Sequence, residues 1–167
     1  MNSLDIFSTQ KVRYNGRYEF DAVYQQVFDF LENLRYDVWE KSYKRDATNN
    51  KLDVRIEAQR EINAMIRRRI IIKFQAYDME EYQVETKDGR KSMCDGRLII
   101  SITGYADIDY RDIFTGPGWR EWLGDVIFTT IRRGLFKKYF GPNYFAPIYK
   151  DCAKLRGTLN GALGRNT

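Results

Sequence analysis

The chain contains no histidine, the side chain that most often transfers protons near neutral pH. A Ser-His-Asp or Cys-His catalytic arrangement is therefore excluded. The glycine-rich phosphate loops, GxGxxG and GxxxxGK followed by Ser or Thr, are missing as well. We expect no catalytic residues, no cofactor and no enzymatic activity.

Cysteines and long apolar segments are also scarce. The two cysteines, Cys94 and Cys152, are too few for a disulfide framework or a zinc set, so we expect free thiols in a reducing compartment. The longest apolar runs, such as Ile70 to Ile72, are far shorter than the roughly 20 residues that span a membrane. Met1 to Gln10 lack a basic segment followed by an apolar one, so we expect no signal peptide. The chain is expected to be intracellular, in the cytoplasm, with no membrane span.

Apolar and aromatic side chains are plentiful. Hydrophobic residues make up 43% and aromatic residues 15% of the 167, which is enough for one folded domain over residues 1–167. The formal net charge is +5, which favours an anionic partner such as nucleic acid or an acidic protein or lipid surface. The aromatic surplus is also typical of surfaces that bind other proteins.

The spacing of apolar residues predicts the order of the secondary structure. Alternation with a period of two predicts strands over about 11–19, 36–43, 52–59, 66–76 with the pattern resuming at 82–84, and 92–110. Helical spacing predicts helices over 21–34, from Trp119 to about Leu135, and over 146–163. The predicted fold class is α+β, in the order β-α-β-β-β-β-α-α. About five strands form an antiparallel meander that three helices cover on one face.

Residues 141–167 are predicted to form a C-terminal helical extension. Gly157 and Gly161 weaken this helix, each by about 1 kcal/mol relative to alanine. We therefore expect the extension to pack on a partner as well as on its own chain. The candidate interface residues are aromatic or apolar: Tyr139, Phe140, Tyr144, Phe145, Leu155 and Leu159.

Carboxylates two residues apart on a strand are weak candidates for a metal site. Asp107 and Asp109 point to one face of the last strand, and with Asp112 they could hold a magnesium ion. The alternative is that they form the solvated end of a strand. No other metal site is expected.

Basic residues form two candidate contacts for nucleic acid or another anion. The first group projects from one strand face, and the second lies near the end of the Trp119 helix, followed by aromatic residues suited to base stacking. The alternative is that the second group stabilises the helix dipole. Arg68 lies on the opposite, apolar face, with Glu57 as a candidate partner. The candidate contacts are Arg67, Arg69, Lys73, Arg132, Arg133, Lys137 and Lys138.

Two resemblances follow from these patterns. The order strand, helix, meander and C-terminal helix resembles the helix-grip (START-like) plan, which implies a sheet that wraps the last helix and often encloses an apolar ligand. The central stretch resembles small archaeal or archaeal-virus α+β proteins, which implies a shared shape and no activity. The chain is expected in the cytoplasm or assembled in a virion. The matching residues are Tyr36-Asp37-Val38 with Glu40, Glu57-Ala58, Val84, Asp88-Gly89, Met93, Gly96, Gly104 and Asp109-Tyr110.

These observations favour a non-enzymatic interaction or structural protein, a subunit of a homo-oligomeric or larger assembly that associates with copies of itself. A basic nucleic-acid-binding module is the first alternative. A START-like carrier of an apolar ligand is the second.

Overall fold

The computed structural model describes residues 2–64, 66–86, 89–108 and 144–164, with the single residues 111, 122 and 126. These residues form an α+β fold with a five-stranded antiparallel sheet, as predicted. The elements are β1 (Asn2–Tyr18), α1 (Phe20–Asn33), β2 (Asp37–Asp46), β3 (Lys51–Glu61), β4 (Ile66–Thr86), β5 (Gly89–Ile108) and α2 (Ala146–Ala162).

The sheet has the strand order β1-β5-β4-β3-β2. Strands β2 to β5 form a meander in which each strand pairs with the next, because short turns join them. Strand β1 pairs with β5 and closes the other side. The predicted antiparallel sheet is therefore confirmed, but only β2 to β5 form a meander, and β1 and β2 are the two edges of the sheet.

The predicted helix count is only partly right. The described residues contain two helices, α1 and α2, and give the order β-α-β-β-β-β-α. The predicted helix from Trp119 lies outside the described residues except for Trp122 and Val126, which are both helical and exposed. Helix α1 begins at Phe20 rather than near Asp21, because Glu19 is the last residue with an extended backbone. Within the described part of the chain, no helix is long and apolar enough to cross a membrane.

One face of the sheet forms the core, and we call it the inner face. Side chains alternate between the two faces of a strand, so the even-numbered residues of β3, of β4 up to Ala76 and of β5 beyond Gly96 point the same way. Helices α1 and α2 both pack on this face. Fully buried side chains from these strands and from α2 are Val54, Ile56, Ile70, Ile72, Phe74, Leu98, Ile100, Ile102, Leu155 and Leu159.

Helix α2 lies directly on the sheet at Gly104. A Cβ atom at this position would lie 2.8 Å from Cγ2 of Ile148 and 2.9 Å from Sγ of Cys152. Only glycine allows the helix to approach the strand this closely. The C-terminal helix is therefore part of the core of its own chain.

The β4–β5 hairpin extends beyond the rest of the sheet. In β4, pairing with β3 ends at Ala76. In β5, pairing with β1 begins only at Cys94. The outer part, residues 82–86 and 89–93, pairs only within the hairpin, and we call it the arm. A bulge between Tyr77 and Glu80 marks the point where the hairpin leaves the sheet.

Candidate functional site

Among the described residues, the outer face of the sheet carries most of the charged groups that the sequence singled out. It consists of the residues that alternate with the core positions, and the register brings side chains from all five strands together. One half of this face contains a buried ionic cluster. The other half contains a group of exposed cations.

Asp107 is the centre of the ionic cluster. Its side chain is fully buried, and its two oxygens bind two different guanidinium groups. Oδ2 accepts hydrogen bonds from Nη2 of Arg67 at 3.0 Å and from Nε at 3.3 Å, and Oδ1 accepts one from Nη2 of Arg69 at 3.0 Å. The Arg67 and Arg69 side chains are themselves mostly buried. Each arginine thus offsets the cost of burying the carboxylate.

The cluster continues from Arg69 to neighbouring strands. Nη1 of Arg69 lies 3.9 Å from Oε1 of Glu57 on β3, and the Gln59 side chain donates a 2.6 Å hydrogen bond to the same oxygen. The Arg69 guanidinium also lies over the Tyr105 ring, 5.2 Å from its centroid. These contacts connect β3, β4 and β5, so the cluster fixes the register of three strands on the outer face.

The structure corrects the candidate metal site. Asp107 is neither a solvated strand end nor a free ligand, because both of its oxygens bind arginine. Asp109 and Asp112 lie outside the described residues. Among the residues that the structure describes, no group of three or more acidic residues and cysteines is placed to hold a metal ion.

The first group of predicted basic contacts, Arg67, Arg69 and Lys73, does not form one exposed surface. Arg67 and Arg69 belong to the ionic cluster and are mostly buried, which corrects their prediction as an exposed anion contact. Lys73 is exposed on the same face. The second group lies outside the described residues: Arg132, Arg133, Lys137 and Lys138.

Further exposed cations surround Lys73, and we call this set the basic patch. The register aligns Lys73 with Arg55 on β3 and with Ser101 on β5, which pairs in turn with Lys11 on β1. All of these cations except the half-buried Arg55 are exposed. The carboxylates within or beside the patch are Asp46, Asp53, Glu57, Asp78 and Asp95. The cations of the basic patch are Lys11, Arg13, Lys41, Lys44, Lys51, Arg55, Lys73 and Arg97.

Aromatic rings lie among these cations. Trp39 on β2 pairs with Glu57 and is 43% exposed, and Nζ of Lys41 lies 5.7 Å from its ring centroid. Tyr77 on β4 has the guanidinium of Arg97 at 5.4 Å and Nζ of Lys51 at 5.8 Å. The basic patch therefore combines positive charge with planar rings.

The sequence reasoning missed most of the basic patch. Alternation assigned Arg55 and Lys73 to one face of their own strands, which was a usable signal. The positions of Lys11, Lys44 and Lys73 relative to one another depend on the register of the strands, which the sequence pattern did not give.

The predicted interface residues lie mainly in the core. Phe145, Leu155 and Leu159 are buried in the hydrophobic core of their own chain, and Tyr144 packs against it, which corrects the expectation that these side chains face a partner. Tyr139 and Phe140 lie outside the described residues. The exposed side of α2 carries Tyr149.

Arg68 is buried on the inner face, near the end of the sheet that α2 covers. Glu57, its predicted partner, lies on the outer face beside Arg69 instead. Close to Arg68, the Tyr36 hydroxyl donates a 2.9 Å hydrogen bond to Oδ2 of Asp151 on α2. Burial and the Asp151 carboxylate raise the pKa of Tyr36, and the Arg68 charge opposes them. This contact ties α2 to the chain that follows α1.

A groove of about 370 Å³ lies between β1, the start of α1 and the end of α2. Tyr14 and Tyr18 line it from β1, Val23 and Gln26 from α1, and Leu163 from the end of α2. Tyr18 is buried, and within the described residues its hydroxyl has no hydrogen-bond partner. Burial raises the pKa of this hydroxyl. The groove is open and lies beside the last turn of α2, away from the contact at Gly104.

Comparisons with protein-family models, with curated proteins and with solved structures give no significant match for this chain. The geometry of the arm and of the outer face therefore carries the functional proposals.

Proposed function

We propose that this protein is a non-enzymatic subunit of a homo-oligomeric or larger assembly, and that the arm binds a second copy of the chain. The observation that carries the proposal is the arm itself, a two-stranded ribbon paired with no other described strand. An isolated two-stranded hairpin is marginally stable in water. A ribbon of this kind gains stability when one of its faces is covered.

The arm has one mainly apolar face and one polar face. Tyr82, Val84 and Met93 share one side of the ribbon and are half-buried. The exposed Lys91, opposite Val84, lies on the same side, and its Nζ is 3.3 Å from Oε2 of Glu19. Gln83 and Glu85 point to the other side and are exposed. Arg17 on β1 lies over the Tyr82 ring at 5.9 Å, which fixes the base of the apolar face. Alternation of this type is typical of a strand pair that buries one side.

The edges of the sheet are less suited to contact with a partner. Strand β1 has register shifts between Asp5 and Gln10, and β2 has one between Glu40 and Ser42. Bulges and charged residues on edge strands disfavour the addition of another strand. The contact that we propose therefore uses side chains of the arm and not hydrogen bonds from a sheet edge.

Size-exclusion chromatography with light scattering tests this proposal on the full chain. The wild type should elute as an oligomer, and the double substitution Tyr82→Ser with Val84→Ser should give a monomer because it removes the apolar face. The matched control is Gln83→Ser with Glu85→Ser. It alters the neighbouring residues of the same strand on the polar face and should leave the oligomer intact. A wild type that stays monomeric at high concentration would exclude the proposal.

The carrier alternative is less well supported by the geometry. Helix α2 contacts the sheet directly at Gly104, and its own residues Leu155 and Leu159 are fully buried in the core. An apolar ligand enclosed between the sheet and the last helix would have to displace these contacts. The resemblance to the helix-grip plan and a place in a virion stay predictions from the sequence.

A further inference from the structure

We propose that the basic patch binds single-stranded nucleic acid. This proposal is independent of the arm, because the patch lies on the outer face of the sheet and the arm extends beyond it. The observation that carries it is the presence of exposed cations from all five strands on one face of the sheet, together with two aromatic side chains, Trp39 and Tyr77, that have cations beside them.

The charge of the patch fits a polyanion. Its carboxylates, Asp46, Asp53, Glu57, Asp78 and Asp95, are fewer than its eight cations, and all but Asp53 have local partners. Glu57 lies beside Arg69 and Gln59, and Asp95 lies 3.6 Å from Nε of Arg17. Asp46 accepts hydrogen bonds from Thr48 and Asn49 in the turn after β2, and Asp78 pairs with Arg97 at 3.2 Å. Lys11, Lys44 and Lys73 are exposed and lie on three different strands. Phosphate groups that bind there release counterions, which favours association.

The dimensions of the patch fit an extended strand of nucleic acid. Neighbouring strands of a sheet lie about 4.8 Å apart, so five strands span roughly 19 Å. Along each strand, residues on the same face repeat every 6.6 Å or so. The cations thus form a two-dimensional array that can contact several consecutive phosphates.

The aromatic rings favour a single strand over a duplex. Trp39 is well exposed at one border of the patch, with Lys41 beside it. Unpaired bases can stack on such a ring, whereas the bases of a duplex are already stacked on each other. An acidic protein or an anionic membrane would use the positive charge but would not need the ring.

The experiment measures binding of the full-length chain to a fluorescein-labelled oligo-dT and oligo-U of 20 nucleotides by anisotropy, over a range of salt concentrations. The competitors are a duplex of the same length, polyglutamate, and phosphatidylserine vesicles at equal negative charge. We expect binding of at least one of the single strands, with a clear preference over the duplex and over the two other polyanions.

Two variants separate the contributions of charge and stacking. The triple substitution Lys11→Glu, Lys44→Glu and Lys73→Glu should weaken binding at least tenfold. It should also make the fall of log K with log salt less steep, reducing the magnitude of the slope by about two. Trp39→Ala should weaken binding about tenfold and leave the salt slope unchanged, because the ring releases no counterions.

Matched controls lie on α2, on the other side of the sheet. The triple substitution Lys150→Glu, Lys154→Glu and Arg156→Glu changes the net charge by the same amount, and Tyr149→Ala removes an exposed ring. Both should keep binding within about twofold of the wild type. Circular dichroism verifies that every variant is folded.

Several results would overturn the proposal. They are an absence of binding at low salt, equal binding of the duplex, polyglutamate or vesicles, an equal loss of affinity in the α2 triple variant, and a folded Trp39→Ala variant with unchanged affinity. A monomeric wild type that still binds oligo-dT or oligo-U would refute the assembly and leave this proposal standing.

Discussion

Gly96 and Asp78 meet across the β4–β5 ladder at the base of the arm: a Cβ atom on Gly96 would lie 2.8 Å from the Asp78 carbonyl oxygen. Gly96 has a φ of +154°, and Asp78 has a φ of +54°. Met79, next in β4, donates its backbone N–H to the carbonyl of Asn50 at 3.0 Å, which connects this bulge to the β2–β3 turn. The bulge is thus fixed from both sides.

Replacement of Gly96 should therefore be costly. We expect Gly96→Ala to lower the free energy of unfolding by about 2 kcal/mol, because alanine disfavours this φ and its Cβ collides with the opposite backbone. Gly157→Ala is the control, since a Cβ there has no neighbour within 4 Å and helix α2 should gain about 1 kcal/mol. Urea unfolding of the two variants measures both effects. Equal stability of the two would contradict the observed bulge.

The ionic cluster makes a second prediction. Asp107→Asn should lower the free energy of unfolding by about 3–5 kcal/mol, because it removes the buried charge that both Arg67 and Arg69 bind. Asp53→Asn changes an exposed carboxylate on the same face and should alter stability by less than about 0.5 kcal/mol. Thermal and urea unfolding give these values. A loss below about 1 kcal/mol in Asp107→Asn would show that the cluster is solvated.

Packing of α2 on its own chain makes a third prediction. Leu155 is fully buried in the core, so Leu155→Ala should cost about 2–5 kcal/mol through lost burial and the cavity that remains. This loss should not depend on protein concentration, since the contact lies within one chain. Lys154→Ala, next to it on the exposed side of the helix, is the control. A strong concentration dependence of the loss would mean that α2 packs on a neighbouring copy.

Stability should fall at alkaline pH, and Cys152 should account for part of the fall. Burial raises the pKa of the Cys152 thiol from 9.0 to about 12, so above pH 9 the unfolded chain loses this proton before the folded chain does. The folded state is therefore destabilised progressively as pH rises from 9 towards 12. The loss is about 1.4 kcal/mol per pH unit for one such group.

Urea unfolding at pH 8 and pH 10.5 measures this effect. The free energy of unfolding should fall less between pH 8 and pH 10.5 in Cys152→Ala than in the wild type, by about 2 kcal/mol. Part of the fall should remain in this variant, because the pKa of the buried Tyr36 hydroxyl is also raised. Ellman's reagent should not label Cys152 in the folded protein, since the side chain is fully buried. An unchanged pH difference in Cys152→Ala would contradict the assignment.

The limits of sequence reasoning are clear in the β4–β5 hairpin. Ile70 and Ile72 of β4 and Ile100 and Ile102 of β5 are all core residues with even numbers. Because paired residues point to the same face, even-numbered residues of β4 must pair with even-numbered residues of β5. The turn after Thr86 pairs it with Gly89, an even number with an odd one. Both patterns hold only if one strand contains an extra residue, and the sequence pattern does not reveal where it lies.

The bulge at Asp78 and Met79 resolves this conflict and thereby decides the chemistry of the outer face. Without it, the turn would place Arg67 opposite Ile108; with it, Arg67 pairs with Asp107. The candidate metal ligand thus becomes the centre of an ionic cluster. No local pattern around Asp107 could predict that outcome, because its partners lie 38 and 40 residues away.

The sequence by itself determined the order of strands and helices in the described part, the core face of β3, of β4 up to Ala76 and of β5 from Leu98, and the absence of histidine chemistry. These properties depend on neighbours two to four residues apart, which a periodic pattern records. The tertiary structure decided which charges meet: Asp107 with its two arginines, Tyr36 with Asp151, and the cations of the basic patch with one another. Such contacts depend on strand register and helix docking, where a shift of one residue exchanges every partner.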